Sequence, residues 1–286
     1  MHRDNVHKNW SIGDVRVVKV VEHELELPLA GVLRDVPDGV VERHAWLAPD
    51  FVTPDGRARL SIHGLVIDTG ERRILVDTCV GESAPIDLGS AAGDGFLAGL
   101  AAAGYAVEDI DTVVCTHLHF DHVGWNTRLV DGEWVVTFPR ARYLFARTEW
   151  EHWSTTDGDY VNVGTTVRPV LEAGAVDLVE TDHRVCEEVR FVPTPGHTPG
   201  HVSVVVESRG ETAVITGDLA HHPVQFADPD LAAAADTDPT RAAATRRRFL
   251  GERAADGALV IGTHFAGPTA GRVTSAPGGD GWVLTS

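Results

Sequence analysis

The sequence predicts an α/β fold, on three observations. Short runs of β-branched and aliphatic residues recur along the chain, which is typical of buried strands. Helix start and stop signals lie between some of these runs. The 286 residues, of which 43% are hydrophobic and 23% charged, are enough to bury a large core. This length allows one large domain or two small ones, and the composition is that of an ordinary globular protein.

The first part of the chain is predicted to form β structure and a long loop. Residues 15–21 (VRVVKVV) are rich in valine, and residues 22–27 alternate polar with apolar side chains, as a half-buried strand does. Residues 28–60 contain four prolines and several glycines, which favours an ordered loop. Two strands are expected next, at 61–68 and 73–77, joined by a glycine-containing hairpin turn.

In the middle of the chain, helices and strands are expected to alternate. A helix is predicted over residues 95–103, and Gly104 follows it as a C-cap. Residues 110–115 form a short apolar run that ends abruptly in the polar segment THLHFDHVGWN. A strand at 141–146 and a short helix at 148–154 are expected downstream.

The C-terminal half is predicted to contain further strands and one long helix. The strands are expected at residues 185–192, 202–206, 213–216 and 259–262, the last of these being the final strand of the chain. Asp238 is the expected N-cap of the helix and Pro239 its first residue, and the helix is expected to end near Ala255. Its three consecutive arginines, Arg246–Arg248, are interpreted as a solvated helix face.

Histidine or aspartate follows the end of an apolar run at four places. The residues concerned are His117, His119, Asp121, His122, His197, Asp218 and His264. Neutral imidazole and carboxylate are ligands of zinc and similar divalent ions, and the His-x-His spacing puts two imidazoles on the same side of an extended segment. Packing so many ionisable groups together without a metal would be costly. Seven ligands exceed the needs of one tetrahedral ion, so two ions are expected.

The segments THLHFDH, PGHTPGH, TGDL and GTHF, in this order, resemble the metallo-β-lactamase superfamily of hydrolases from Leu65 onward. The resemblance implies an αββα four-layer sandwich, in which two mixed β-sheets carry helices on their outer faces. It implies a single domain over residues 1–286, of which 1–14 are expected to be a flexible N-terminal segment. It also implies a dinuclear metal site at one edge of the sandwich.

The resemblance also implies how the ligands are divided. The first ion would be held by His117, His119 and His197. The second ion would be held by Asp121, His122 and His264, and Asp218 would bridge the two. Zinc is the expected metal, although these ligands also accept manganese, iron or cobalt. Asp77 matches an early aspartate of the family that supports the His-rich loop, and His201 is interpreted as a packing or hydrogen-bonding residue rather than a ligand.

The expected reaction is hydrolysis, because two close divalent ions activate water and polarise the bond to be broken. The predicted catalytic residues are Asp121 and Asp218, which can orient the nucleophile or carry a proton, and His221. Many lactonases of the family have a tyrosine at the position of His221. His221 could donate a hydrogen bond to the substrate or cap its loop, and the sequence leaves both open.

Departures from the family pattern exclude several branches. The residues His122 and Asp218 distinguish this ligand set from that of a typical true β-lactamase. Only 22 residues follow His264, which are too few for the added helical domain or flavin domain of other branches. What remains resembles the quorum-quenching lactonases, the pyridoxolactonase group and methyl parathion hydrolase. The predicted function is a hydrolase of a lactone or small carboxylic ester. The alternatives are a phosphotriesterase on the same site and a catalytically weak, metal-bound accessory protein.

Charge and composition limit the partners. The formal net charge of −18 argues against nucleic acid and against anionic membrane surfaces. Three widely spaced cysteines and an N-terminus without an apolar run favour a cytoplasmic protein without disulfides. The expected ligand is a small uncharged ester or lactone, and a homodimer is compatible with the sequence. A set of aromatic residues could line the pocket or pack in the core, namely Trp125, Phe145, Trp150, Trp153, Phe226 and Phe265.

Overall fold

The computed structural model describes residues 8–83, 95–156, 160–276, 278 and 281–285. The described chain divides into two compact units. The first unit consists of the chain up to His23 and of Ile62–Val179. The second unit consists of Glu24–Ser61 and the chain from Glu180 onward.

Nine strands are described in the first two thirds of the chain. They are β1 (Asn9–Ile12), β2 (Val15–Leu27), β3 (Ala58–Asp68), β4 (Arg73–Val76), β5 (Thr112–Val114), β6 (Thr127–Val130), β7 (Glu133–Val136), β8 (Arg142–Ala146) and β9 (Val176–Val179). Seven of them form a sheet in the order β1-β2-β3-β4-β5-β8-β9, and β6 pairs with β7 as a separate ribbon. The sheet is mixed, because β3 and β4 are antiparallel whereas β4, β5, β8 and β9 are parallel.

The parallel strands of this sheet position polar residues. Their carboxyl ends lie at the same edge of the sheet, and the segment after each strand therefore begins there. Asp77 follows β4, the segment Thr116–His122 follows β5, and Glu149 follows β8. This explains how residues far apart in the sequence come to share one edge.

The prediction of a flexible segment over residues 1–14 is wrong for its described part. Residues 9–12 form β1, which pairs with β2 in a hairpin register of Ile12 opposite Val15. The turn between them uses Gly13, with φ 55°, a backbone conformation that suits glycine. Ile12 is buried, which anchors the strand. Residues 1–7 lie outside the described residues.

Six strands form the second sheet, in the order β10 to β15. They are β10 (Val189–Pro193), β11 (Val202–Ser208), β12 (Glu211–Ile215), β13 (Leu259–Ile261), β14 (Ala270–Ser275) and β15 (Trp282–Thr285). This sheet is also mixed, with β12 and β13 parallel and the other neighbours antiparallel. The prediction that β13 is the last strand is wrong. The sequence of β14, AGRVTS, has no run of apolar residues, and both β14 and β15 lie towards one side of the sheet.

Seven α-helices are described. They are α1 (Gly95–Ala102), α2 (Phe120–Val123), α3 (Arg147–Trp153), α4 (Val163–Thr166), α5 (Arg168–Glu172), α6 (Val224–Ala227) and α7 (Pro239–Asp256). The predicted helices at 95–103, 148–154 and 239–255 correspond to α1, α3 and α7. The predicted loop over 28–60 contains only short 3-10 turns and isolated bridges before β3 begins.

Helix α7 begins as predicted, since the side chain of Asp238 accepts a hydrogen bond from the backbone N–H of Arg241 at 3.0 Å. The interpretation of its three arginines is wrong for Arg246, whose side chain is 0% exposed. Arg247 and Arg248 are exposed, as expected. Three consecutive residues span most of a helical turn, so they cannot all share one face.

The three cysteines are free thiols in different surroundings. Cys79 and Cys115 are buried, and burial raises the pKa of both thiols. Cys186 is half-buried. Among the described residues, no helix combines the length and the apolar character that a membrane span requires.

Candidate metal centre

The first group of predicted ligands lies in the segment that follows β5. His117, His119 and His122 are buried, and Asp121 is half-buried. The imidazole centroids of His117 and His119 are 4.6 Å apart, and those of His117 and His122 are 4.0 Å apart. The carboxylate of Asp121 lies 3.6 Å from Nε2 of His122. The structure therefore brings all four predicted ligands of the first unit together.

Asp77 supports this segment, at the place predicted for it. Its carboxylate accepts hydrogen bonds from the backbone N–H of Thr116 at 2.8 Å and from the Thr116 hydroxyl at 2.9 Å. It also lies 2.9 Å from Nδ1 of His122. Because a carboxylate accepts, the ring N–H of His122 lies at Nδ1, and its Nε2 keeps a lone pair suited to a metal.

The turn after Asp77 packs against the end of α2. The backbone N–H of Gly124 donates to the carbonyl of Cys79 at 2.7 Å. A Cβ atom on Gly124 would lie 1.9 Å from the carbonyl carbon of Val80, so only glycine permits this approach. The contact fixes the backbone that carries Asp121 and His122.

Two buried carboxylates in the first unit were not predicted. Glu149 accepts hydrogen bonds from the backbone N–H of Leu118 at 3.2 Å and from Trp153 Nε1 at 2.7 Å. Glu22 accepts three, from the N–H groups of Val80 and Gly81 and from Trp125 Nε1. Burial raises the pKa of Glu22 despite these hydrogen bonds. An acidic residue within a strand or short helix carries no local signal of this role.

The aromatic residues that could line the pocket or pack in the core differ in their surroundings. Trp125, Phe145, Phe226 and Phe265 are buried core residues, as the second of these alternatives expects. Trp153 lies with its ring centroid 5.5 Å from that of His119, and it lines a cleft of about 390 Å³ in the first unit. Trp150 does not line that cleft.

The second group of predicted ligands surrounds Asp218, which follows β12. The carboxylate oxygen Oδ2 lies 3.4 Å from Nε2 of His197. The other oxygen, Oδ1, lies 3.1 Å from Nε2 of His264, which follows β13. One carboxylate thus presents a different oxygen to each of two imidazoles. All three side chains are buried.

The protonation of these rings shows whether the group suits a cation. Nδ1 of His264 lies 3.3 Å from the carbonyl oxygen of Ser61, which can only accept, so the ring N–H belongs there. Nδ1 of His197 lies 2.9 Å from a carboxylate oxygen of Asp236, with the same consequence. The Nε2 lone pairs of both rings then face an anionic carboxylate. A cation between these groups would stabilise them, and imidazole nitrogens together with a carboxylate oxygen are a ligand set that fits a divalent metal.

His201 is a hydrogen-bonding residue, as predicted. Its Nε2 accepts the backbone N–H of Asp218 at 2.8 Å, and its Nδ1 lies 3.0 Å from the carbonyl of Thr194. Both ring nitrogens are therefore engaged by the protein, and neither offers a lone pair to a metal.

His221 lies beside the second group rather than in a remote loop. Its Nε2 is 3.1 Å from Oδ2 of Asp218, and its ring stacks on that of His264 with an interplanar angle of 14°. Its backbone N–H donates to the side-chain oxygen of Gln225 at 2.8 Å. Burial lowers the pKa of His221 even though the Asp218 carboxylate opposes this, so the ring is neutral near pH 7.

Asp236 is a buried carboxylate of the second unit that was not predicted from the sequence. Its Oδ1 accepts from His197, and its Oδ2 accepts the backbone N–H of Ala233 at 2.8 Å. Burial raises its pKa, but the contacts with His197 and the nearby Arg246 outweigh burial, and the pKa is lowered. It lies 39 residues from its partner, in an alanine-rich loop without any motif.

Comparison with known proteins agrees with this architecture. Residues 59–264 match the family model described as the metallo-beta-lactamase superfamily. An N-acyl homoserine lactonase of Bacillus sp is 30% identical over 179 residues, which are 57% of this chain and 65% of the relative. The chain thus spans slightly less than two thirds of the length of that relative.

Two solved structures are similar over nearly the whole chain. Hydrolase AbOPH of the β-lactamase superfamily has a TM-score of 0.80 and 26% identity, with 98% of this chain and 97% of that chain covered. The dizinc quorum-quenching lactonase AidC has a TM-score of 0.78 and 22% identity, with the same coverage. The predicted α/β fold class, with mixed sheets and helices, is confirmed. Since the family match extends over most of its length, the chain belongs to the metallo-β-lactamase superfamily.

Proposed function

We propose that this protein is a dinuclear metal-dependent hydrolase that opens a lactone or cleaves a small carboxylic ester, with residues 1–286 acting as one catalytic domain. The observation that carries the proposal is the carboxylate of Asp218, whose two oxygens face Nε2 of His197 and Nε2 of His264 at 3.4 and 3.1 Å. With one oxygen facing each imidazole, this carboxylate could be shared between two ions.

The proposed ligand sets follow the division that the family resemblance implies. One zinc or similar divalent ion is held by His117, His119 and His197, and the second is held by Asp121, His122 and His264, with Asp218 shared. Support comes from the spacing within each group: the ligand atoms of His117 and His119, and those of Asp121 and His122, lie within 4.8 Å of one another. In three of the candidate ligands, Nδ1 of the ring lies beside a carboxylate or carbonyl oxygen, which fixes the ring and also favours metal binding at Nε2.

Two divalent ions held by these residues would lower the pKa of a bound water toward neutrality and would polarise the oxygen of the bond to be cleaved. The protein contributes orientation and proton transfer. Hydrolysis adds the water oxygen to the acyl carbon and a proton to the departing alkoxide. The Asp121 side chain is 18% exposed and that of Asp218 is 3% exposed. We assign the proton transfer to Asp121 because it is the more accessible acid, and the orientation of water to Asp218.

His221 is proposed to contact the substrate. Its side chain keeps 11% of its surface exposed beside the Asp218 carboxylate, where a lactone or ester carbonyl would lie close to the ligands. A neutral imidazole suits an uncharged substrate. The name of the Bacillus relative, an N-acyl homoserine lactonase, supports a lactone as the substrate class.

The test is a comparison of initial rates for metal-reconstituted protein on acyl-homoserine lactones, aromatic lactones, aryl esters and a phosphotriester. The control enzyme is His119→Ala, which is expected to lose metal and activity together. A preference of about a hundredfold for a lactone or ester corresponds to about 2.7 kcal/mol of selective transition-state binding and supports the proposal. A preference for the phosphotriester, or feeble rates on all substrates with two ions bound, contradicts it.

A further inference from the structure

Helix α7 carries a buried arginine that contacts the loop of Asp218 directly and the loop of His197 through Asp236. Nε of Arg246 donates to the carbonyl of Leu219, the residue after Asp218, at 2.8 Å. Its Nη1 donates to the carbonyls of Pro229 and Leu231, at 2.6 and 3.1 Å. The guanidinium group is 0% exposed, so it lies among backbone carbonyls rather than in water.

The remaining nitrogen of this guanidinium group faces Asp236. Nη2 of Arg246 lies 3.9 Å from Oδ2 of Asp236, whose side chain is also 0% exposed. Among the described residues, Nη2 makes no hydrogen bond, so its contribution here is charge. A buried cation and a buried anion stabilise each other, and removal of either leaves an uncompensated charge. The other oxygen of Asp236 holds Nδ1 of His197 at 2.9 Å.

The chain before α7 joins the same assembly. The backbone N–H groups of Thr237 and Asp238 donate to the carbonyls of His197 and Gly196, both at 2.9 Å. The hydroxyl of Thr245 donates to the carbonyl of Pro195 at 2.7 Å. The loop of His197 and the loop of Asp218 are therefore both attached to one helix, and Arg246 is the side chain that contacts the second loop directly and the first through Asp236.

We propose that Arg246 and Asp236 are a positioning pair, which holds His197 and the Asp218 loop in the arrangement that binds metal. The inference rests on the proposed function, because it assumes that His197 and Asp218 are ligands. Neither member of the pair contacts substrate. Their effect is to fix the ring of His197, with its Nε2 lone pair directed toward Asp218, and to fix the peptide that follows Asp218.

The experiment measures zinc affinity by competition with a chelator, together with the visible spectrum of the cobalt-substituted protein. The variants are Asp236→Asn, Arg246→Met, Arg246→Lys and the double variant Asp236→Asn/Arg246→Met. The control is Arg247→Met, which removes the exposed neighbouring guanidinium group. Far-UV circular dichroism checks that each variant is folded.

Asp236→Asn and Arg246→Met are each expected to lower zinc affinity by about 10-fold to 100-fold, the range typical of residues that support a ligand. The cobalt spectrum should change, and Arg246→Lys should restore part of the affinity because it restores the charge. The double variant should lose less than the product of the two single losses, since the pair acts as a unit. Arg247→Met should resemble the wild type.

Folded Asp236→Asn with wild-type zinc affinity and an unchanged cobalt spectrum overturns the inference and leaves the proposed function intact. If Arg246→Met does not fold, Asp236→Asn alone tests the inference, because asparagine has nearly the same size as aspartate. Wild-type protein that binds neither zinc nor cobalt overturns both the proposed function and this inference.

Discussion

Nε2 of His221 lies 3.1 Å from Oδ2 of Asp218, the same carboxylate oxygen that faces His197. The imidazole of His221 thus lies at the bridging position of the proposed centre, although it is not among the proposed ligands. Its backbone N–H is held independently by Gln225. The ring can therefore be replaced without loss of the contact that orders the loop.

We expect His221→Phe to lower kcat/KM about 10-fold to 100-fold, with two metal ions still bound per chain, because one hydrogen bond to the substrate is lost. The measurement is steady-state kinetics with metal analysis on the same samples. His183→Phe, which changes a half-buried histidine next to Phe191, is the matched control. Unchanged kinetics in His221→Phe would show that His221 only caps its loop.

Two glycines should respond in opposite ways to alanine. Gly196 has φ 140°, and a Cβ atom there would lie 2.3 Å from the backbone nitrogen of Ala242. Gly251 lies within α7, and a Cβ atom there meets nothing within 4 Å. We expect Gly196→Ala to lower the free energy of unfolding by about 2 kcal/mol or more. Gly251→Ala should raise it by about 0.5–1 kcal/mol, and urea denaturation measures both.

Glu22 should be essential to the stability of the first unit. Its side chain is 2% exposed and accepts hydrogen bonds from two backbone N–H groups and from Trp125. Glu22→Ala leaves three buried donors without this acceptor, and we expect a loss of about 3 kcal/mol in the free energy of unfolding. The exposed Glu24→Ala should change it by less than about 0.5 kcal/mol. Equal effects of the two substitutions would contradict this role.

His222 should make stability depend on pH. It is fully buried between the carbonyl of Phe51 and the N–H of Val224, and burial lowers its pKa from 6.5 to about 4. Between about pH 6.5 and pH 4, His222 binds a proton in the unfolded chain but not in the folded protein. The free energy of unfolding therefore falls as the pH is lowered through this range. The contribution of His222 is at most about 1.4 kcal/mol per pH unit.

The measurement is the free energy of unfolding at pH 7, 6 and 5 for wild type and His222→Gln. The variant should lose less stability on acidification than the wild type, because it has no group to titrate at this position. Parallel pH profiles for the two proteins would show that His222 is not protonated differently in the folded and unfolded states.

The candidate ligands could be selected from the sequence because each follows an apolar run. An apolar strand followed by a polar residue can be recognised from neighbouring residues in the sequence. Strands β5, β12 and β13 end within a few residues of His117, Asp218 and His264, respectively. The fold class followed from the same pattern and from the ordered motifs.

Apart from Asp77, the supporting residues could not be predicted, because their roles depend on contacts between distant segments. Asp236 and Arg246 lie 39 and 27 residues from His197 and Leu219, the residues they contact. Arginine in a helix is usually exposed, and only the packing of α7 shows that Arg246 is not. Strand β14 was missed because polar side chains and glycine interrupt its apolar pattern, and β15 because its apolar run is only three residues long.

The unequal burial of the cysteines makes the native chain suitable for site-selective labelling. A thiol-directed dye should react with Cys186 in the folded state, and faster above pH 8, because burial raises its pKa and the thiolate is the reactive form. Cys79 and Cys115 should react only when the chain around them opens. The rate at which doubly and triply labelled species appear would therefore measure the rate at which the first unit opens, without any engineered residue.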